Sequence, residues 1–222
     1  GEGESCTERI ELFPKTRVYL NNRKGYKMIE AKRVPYGVSD FLRVIRENQY
    51  YVDKTMYIPL LEAQPDNLIF IRPRRFGKSL TISMLENYYD INKKDKFDEI
   101  FGKLYIGENP TPEHNSYLII HLNFAIIVGD LNDYKHGMDN YCRTQFNYFV
   151  DVYSHLLPEG TKEGLNQQED AVNQLNYLCT QSKKSGQKIY LFIDEYDTSP
   201  TRFSHTRSMN RDTAYRPMAK DS

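Results

Sequence analysis

The apolar run Leu68-Ile69-Phe70-Ile71 gives way to a basic stretch. Apolar positions then return at helical spacing: Leu80, Ile82, Met84, Leu85 and Tyr88. A short apolar run reads as a buried strand and a period of 3.6 as an amphipathic helix. The pattern therefore predicts strand, loop and a helix starting at Lys78 or Ser79. Tyr117 to Phe124 is a second strand-like run. Tyr141 to Leu157 is strongly helical, with Phe146, Phe149, Val150 and Tyr153 on one face. A polar stretch, Pro158 to Gly164, precedes a helix over Glu169–Lys183, and Ser185-Gly186 turns the chain into a third run, Tyr190 to Ile193. Four consecutive large apolar residues there predict a strand buried on both faces, as parallel strands are. Strands alternating with helices imply a parallel α/β sheet.

The flanks are less regular. Val18-Tyr19-Leu20 and Tyr26 to Ile29 predict a short hairpin turned by Asn21 to Gly25. Pro35-Tyr36-Gly37 breaks the chain, after which Ser39-Asp40 caps a short helix through Phe41, Leu42, Val44 and Ile45. Met56 to Ala63 reads as a helix delivering the chain to Leu68. Phe97, Ile100, Phe101 and Leu104 suggest another, ended by Gly107 and Pro110. From Thr198 to Ser222 there is no Ile, Leu or Val, and five basic residues stand against two acidic ones. Such a tail buries too little to offset its ordering entropy.

Composition narrows the picture in a few places. A length of 222 residues predicts one domain with room for a small appendage. Zero formal charge removes any global pull toward nucleic acid or an anionic membrane. Cys6, Cys142 and Cys179 have neither metal-ligand nor Cys-x-x-Cys spacing, which predicts a reducing compartment without a disulfide framework. No apolar run is long enough for a membrane span, and Gly-Glu-Gly-Glu-Ser is not a signal region. The expectation is a cytoplasmic protein with no membrane partner. Eighteen tyrosines without tryptophan read as packing rather than a stacking platform.

The candidate chemistry sits at the ends of the predicted strands. Arg72-Pro73-Arg74-Arg75-Phe76-Gly77-Lys78-Ser79-Leu80 ends in Gly-Lys-Ser between a strand and a helix, the setting of a P-loop, or Walker A motif. There the loop amides and helix N-terminus attract phosphates, Lys78 reaches the β/γ-phosphates and the Ser79 hydroxyl ligates Mg²⁺. The full pattern has Gly where this chain has Arg72. Far downstream, the third apolar run ends in Asp194-Glu195, as a Walker B strand does. An Asp at the C-terminal end of a parallel strand points into the crevice where α/β sheets bind ligands. It would hold Mg²⁺ through water, while Glu195 polarises the attacking water. The five histidines (114, 121, 136, 155 and 205) show no metal spacing, and His121 reads as a hydrogen-bonded core residue of the second strand.

These pieces, in this order, resemble the AAA-ATPase-like family of P-loop proteins, found mainly in bacteria, whose ATPase region often precedes a nuclease-like domain. The resemblance rests on Pro35 to Phe41, Tyr51-Val52-Asp53-Lys54-Thr55, Arg72 to Leu80 and Phe192 to Asp197. Arg at the first-glycine position is usual in that family, which accounts for Arg72. The implied fold is α/β, a three-layer P-loop NTPase core with a mainly parallel sheet. Its second strand lies beside the third, and a fourth lies between the third and the first. No sequence remains for that fourth strand, so the core reads as truncated after the Mg²⁺-binding strand. The division is an N-terminal extension (1–33), an incomplete P-loop ATPase-like domain (34–197) and a polar tail (198–222) that is disordered or read in a shifted frame.

The implied function is Mg²⁺-dependent ATP binding and hydrolysis coupled to a conformational change. Arg74, Arg75, Phe76, Gly77, Lys78, Ser79 and Leu80 would hold ATP. Ser79 and Asp194 would hold Mg²⁺, and Glu195 and Lys78 would be catalytic. Arg72, Arg74 and Arg75 remain divided among phosphate contact, a solvated loop and a nucleic-acid backbone. Phe76 reads as packing beneath the loop. Asp53 and Lys54 are open between a ribose or adenine-side contact and a structural ion pair. Asp197 supports Glu195 or caps the next element. Alternative readings are a non-hydrolysing, nucleotide-gated module for nucleic acid or a partner domain, an inactive truncated remnant, and a small-molecule kinase.

Overall fold

A computed structural model describes residues 32–64, 68–69, 76–126 and 134–195, and the backbone of 17–22 and 25–30. The chain divides into two compact units, Gly1–Ser116 and Tyr117–Ser222. The division falls inside the stretch read from the sequence as one P-loop domain.

The first unit opens with the expected hairpin. Strands β1 (Arg17–Asn22) and β2 (Gly25–Glu30) run antiparallel, with Arg17 opposite Glu30 and Asn22 opposite Gly25. Helix α1 (Phe41–Arg46) starts where the capping signal put it, the Asp40 carboxylate accepting from the Arg43 amide at 3.4 Å. A 3₁₀ turn over Thr55–Tyr57 leads into α2 (Ile58–Glu62). Helix α3 (Lys78–Tyr89) buries Met84, Leu85, Tyr88 and Tyr89. A 3₁₀ segment (Ile91–Lys96) then leads to α4 (Phe97–Phe101) and α5 (Tyr105–Glu108), two short helices where the sequence suggested one.

Aromatic rings form the core of this unit. Phe41 stacks on Phe101 with centroids 5.5 Å apart and meets the edge of Tyr51 at 5.2 Å; Phe101 meets Tyr88 edge-on at 5.5 Å. The tyrosine excess thus goes partly into packing, as expected, with hydroxyls that also bond. The Tyr88 hydroxyl lies 2.9 Å from Thr111 Oγ1. Glu62 accepts from both Thr111 Oγ1 (2.8 Å) and the Tyr89 hydroxyl (3.1 Å).

The second unit is a parallel strand pair with helices between its strands. β3 (Tyr117–Asn123) pairs in parallel with β4 (Lys188–Asp194), Leu118 opposite Ile189 and Asn123 opposite Asp194. This is the second-beside-third adjacency expected from the resemblance. Among the described residues these two strands pair with each other alone. Leu68 and Ile69 carry no regular structure, while Phe70 and Ile71, the rest of the expected first strand, lie outside the described residues. The described architecture is therefore α/β, with a two-stranded parallel sheet.

Two burial expectations are corrected. β4 is not buried on both faces: Phe192 and Asp194 point inward while Ile193, between them, is 43% exposed. β3 alternates likewise, with Leu118, Ile120 and Leu122 inward and His121 on the half-buried face, so His121 is not a core residue. Side chains on a strand alternate sides, and a two-stranded sheet covered on one face exposes every second residue.

Helix α6 runs from Tyr134 to Val152, shifted N-terminally from its expected span but burying Phe146, Phe149 and Val150 as the pattern required. The polar stretch at 158–164 leads into an unexpected helix, α7 (Thr161–Asn166), which buries Thr161 and Leu165. Gly164 explains its seating, since a Cβ there would lie 2.0 Å from the Tyr177 hydroxyl. That tyrosine belongs to α8 (Ala171–Lys184), capped by the Asp170 carboxylate at 2.8 Å from the Asn173 amide. Among the described residues no helix is long and apolar enough to cross a membrane.

Candidate functional site

Each unit carries one part of the predicted site. In the first, α3 begins at Lys78, directly after Gly77, whose φ of 74° and ψ of 26° are left-handed. A Cβ on Gly77 would meet nothing within 4 Å, so backbone conformation, not crowding, calls for glycine here. As the N-cap, Gly77 offers no side-chain acceptor to the first-turn amides. Those amides and the helix dipole are what a phosphate binds. The Thr81 amide and hydroxyl donate to the Gly77 carbonyl at 2.9 and 3.0 Å, closing the first turn.

Further along α3, Ser83 Oγ accepts from the Phe41 amide at 3.0 Å and anchors α1 to the same helix. Lys78, Ser79 and Leu80 are half-buried on that turn. Phe76 is 61% exposed rather than packed away. Arg72, Arg74 and Arg75 lie outside the described residues.

Asp53 has a structural post. Its Oδ1 accepts from the Thr55 amide (2.8 Å) and hydroxyl (2.7 Å), and its Oδ2 accepts from the Tyr105 amide at 2.8 Å. Thr55 Oγ1 in turn accepts from the Ile106 amide at 3.2 Å. Two side chains fifty residues upstream thus serve the first amides of α5, whose own N-cap, Leu104, provides no side-chain bond. The carboxylate takes amides and a hydroxyl rather than the expected ion pair, because it faces a helix start and not a cation. Burial, helped by the Asp53 charge, pushes the neighbouring Tyr51 phenol up to about 12.

In the second unit, Asp194 closes β4 at 2% exposure, and its Oδ1 accepts from the Glu195 amide at 2.9 Å. Glu195 is half-buried with φ 52°, a left-handed conformation that a non-glycine residue adopts at a cost of about 1–2 kcal/mol. Such strain clusters at functional sites. Asn123, which the sequence reading passed over, stands opposite Asp194 in the register, and its Oδ1 accepts from the Ala125 amide at 3.0 Å. Only the signal of a polar residue ending an apolar run would have found it.

β3 is held along its length by tyrosines: the Ile119 amide donates to the Tyr153 hydroxyl (3.1 Å) and the Asn123 amide to the Tyr141 hydroxyl (2.7 Å). Asp197 lies outside the described residues. Among the described residues no group of three or more His, Cys, Asp or Glu could hold a metal ion.

A helix opening on Lys-Ser directly after a left-handed glycine, and a parallel strand ending in Asp and followed by Glu, are elements on which nucleotide-binding α/β proteins are built. The chain belongs to the AAA-ATPase-like family: the family model described as "Predicted AAA-ATPase" matches residues 35–220, past the boundary drawn at 197. The family's description names an ATPase, a function whose coarsest form is interaction with a nucleotide. An uncharacterized protein in the vnfD 5′ region of Azotobacter chroococcum mcd 1 is 35% identical over 66 residues, which is 29% of this chain and 13% of that protein. No solved structure matches the chain.

Proposed function

We propose that the protein binds Mg-ATP through Gly77, Lys78, Ser79 and Leu80, with Arg74, Arg75 and Phe76, and hydrolyses it. Lys78 neutralises the β/γ-phosphates. Ser79 and Asp194 are the protein's oxygens for Mg²⁺, which would neutralise charge between phosphates when bound. Glu195 orients the water for in-line attack, so catalysis is positioning and electrostatics. Turnover drives a conformational change rather than metabolic chemistry.

The observation that carries this reading is the start of α3. A left-handed glycine turns the chain so that the helix begins at Lys78, with Ser79 next in its first turn. The strained backbone of Glu195, immediately after a buried Asp194, adds support from the other unit. The same burial of Asp194, with an oxygen already bonded to the Glu195 amide, favours the second reading, a module that binds ATP as a switch without hydrolysing it.

Thermal unfolding with and without Mg-ATP tests binding. Ligand at 100 times its Kd adds roughly 2.7 kcal/mol to the native state, and the shift should vanish in Lys78→Ala. No shift in the parent protein would overturn the reading. Phosphate release then separates the alternatives: Glu195→Gln should bind ATP and stop turnover if the parent hydrolyses, and change nothing if the parent only binds.

A further inference from the structure

The strands β3 and β4 run parallel and end together, with Asn123 the register partner of Asp194. Residues paired in register share a face of the sheet, on strands about 4.8 Å apart. Asn123 therefore stands beside the carboxylate assigned above to Mg²⁺, one residue before the carboxylate assigned to the attacking water.

The Asn123 side chain is held by its own turn. Its Oδ1 accepts from the Ala125 amide at 3.0 Å, at the start of a 3₁₀ turn over Phe124–Ile126. A backbone amide only donates, so chemistry fixes which branch of the side chain faces Ala125. The Asn123 amide donates to the Tyr141 hydroxyl at 2.7 Å, which holds the backbone from α6. Nδ2, the other branch of the same planar group, carries two N–H donors and has no partner among the described residues. The side chain is half-buried, so those donors occupy a fixed place at the strand ends rather than sweeping through bulk water. A turn of this kind needs only an acceptor, which Asp or Ser supplies as well as Asn. The amide adds donors that the turn does not use.

We propose that Asn123 is a further catalytic residue of ATP hydrolysis, its Nδ2 donating to the oxygen of the attacking water. One lone pair of that oxygen accepts from Nδ2 and the other attacks the γ-phosphorus. The new oxygen–phosphorus bond forms as the bond from the γ-phosphorus to the bridging oxygen breaks. The electron pair leaves on the β-phosphate oxygen of ADP, and the water's proton passes to the Glu195 carboxylate. A carboxylate alone grips the water by a hydrogen and leaves its oxygen free to turn; a second contact, on the oxygen, removes that freedom. This role rests on the hydrolysis reading above and adds a residue from the strand beside Asp194.

Phosphate release by the full chain at saturating Mg-ATP, with ATP affinity and Tm measured in parallel, tests it in Asn123→Asp and Asn123→Ser. Both variants keep an oxygen for the Ala125 amide and lose Nδ2, one with an added charge and one without. Turnover should fall about 100-fold in each, the usual loss for one transition-state donor, while ATP affinity stays within about twofold and Tm holds. Parental turnover in Asn123→Ser overturns the proposal; a loss confined to Asn123→Asp belongs to the added charge. Affinity or Tm that falls in step with turnover in both variants makes Asn123 structural, which overturns it too. A parent that binds ATP and releases no phosphate removes hydrolysis and this role together, whereas release that survives in both variants removes this role alone.

Discussion

The two units hold their candidate nucleotide groups by different means. The first carries Lys78 and Ser79 on α3 amid very short helices, six residues in α1, five each in α2 and α4, and four in α5. Isolated helices under about 12–15 residues are marginal in water, so these persist only through tertiary contacts. Side chains supply them: Ser83 takes the Phe41 amide, Asp53 and Thr55 take the first amides of α5, and Glu62 ties α2 to Tyr89 and Thr111. The second unit carries Asp194 and Glu195 on a backbone ladder flanked by α6, 19 residues long, and α8, of 14. A ladder shares its strength among many bonds, whereas a side-chain clasp concentrates it in a few. The first unit should therefore fail at single polar residues, and the second should yield only gradually.

The sharpest test is Asp53→Ala. It strips acceptors from two amides and a hydroxyl, leaving partly buried donors unmet. Urea unfolding should show a loss of about 3 kcal/mol. A loss below about 1 kcal/mol would break the view that clasps hold the first unit.

Alkali should come next and should separate the units. Burial, with the Asp139 charge, pushes the Cys142 thiol of the second unit from 9.0 up to about 11. Between those values the folded chain keeps a proton that the unfolded chain has lost. This group's contribution is therefore complete below pH 9 and falls as pH rises toward 11, by on the order of 2 kcal/mol. Tyr51 in the first unit behaves the same way one step later, from 10.0 to about 12. Stability followed from pH 8 to 11 should fall less steeply above pH 9 in Cys142→Ala, and above pH 10 in Tyr51→Phe. Parallel curves for variants and parent would refute the assignment.

Tyr141→Phe and Tyr153→Phe remove one hydroxyl each from the amides of β3. Each should cost about 1 kcal/mol, less than Asp53→Ala, because the ladder to β4 remains. Faster exchange of the Asn123 or Ile119 amide hydrogen would report the freed position.

The smallest effect has the opposite sign. Glu195→Gly relieves a left-handed non-glycine residue but adds unfolded-state freedom, for a net gain of about 0.5 kcal/mol. A loss above about 1 kcal/mol would mean that the Glu195 side chain helps hold the fold.

Much of this was readable in the chain. Local rules suffice where the signal is local: Asp40 caps α1, α3 starts at Lys78 because Gly77 cannot continue a helix backward, and the apolar runs at 117–123 and 188–194 form strands. Family membership followed from short motifs, which survive because the chemistry fixes both residue type and spacing. What the sequence could not show is whatever depends on a partner distant in the chain. The carboxylate of Asp53 looked like a ligand contact or half of an ion pair until the amide of Tyr105, fifty-two residues on, was placed beside it. α7 looked like loop because its seating depends on a residue distant in the chain, Tyr177, whose side chain lies where a Cβ on Gly164 would be. Ile193 looked buried because an apolar run does not say how many of its sides are covered. Residue types and their spacing set which elements form and what chemistry they offer. Which faces are buried, and which polar groups are spent on structure, is decided by long-range contacts that no sequence window contains.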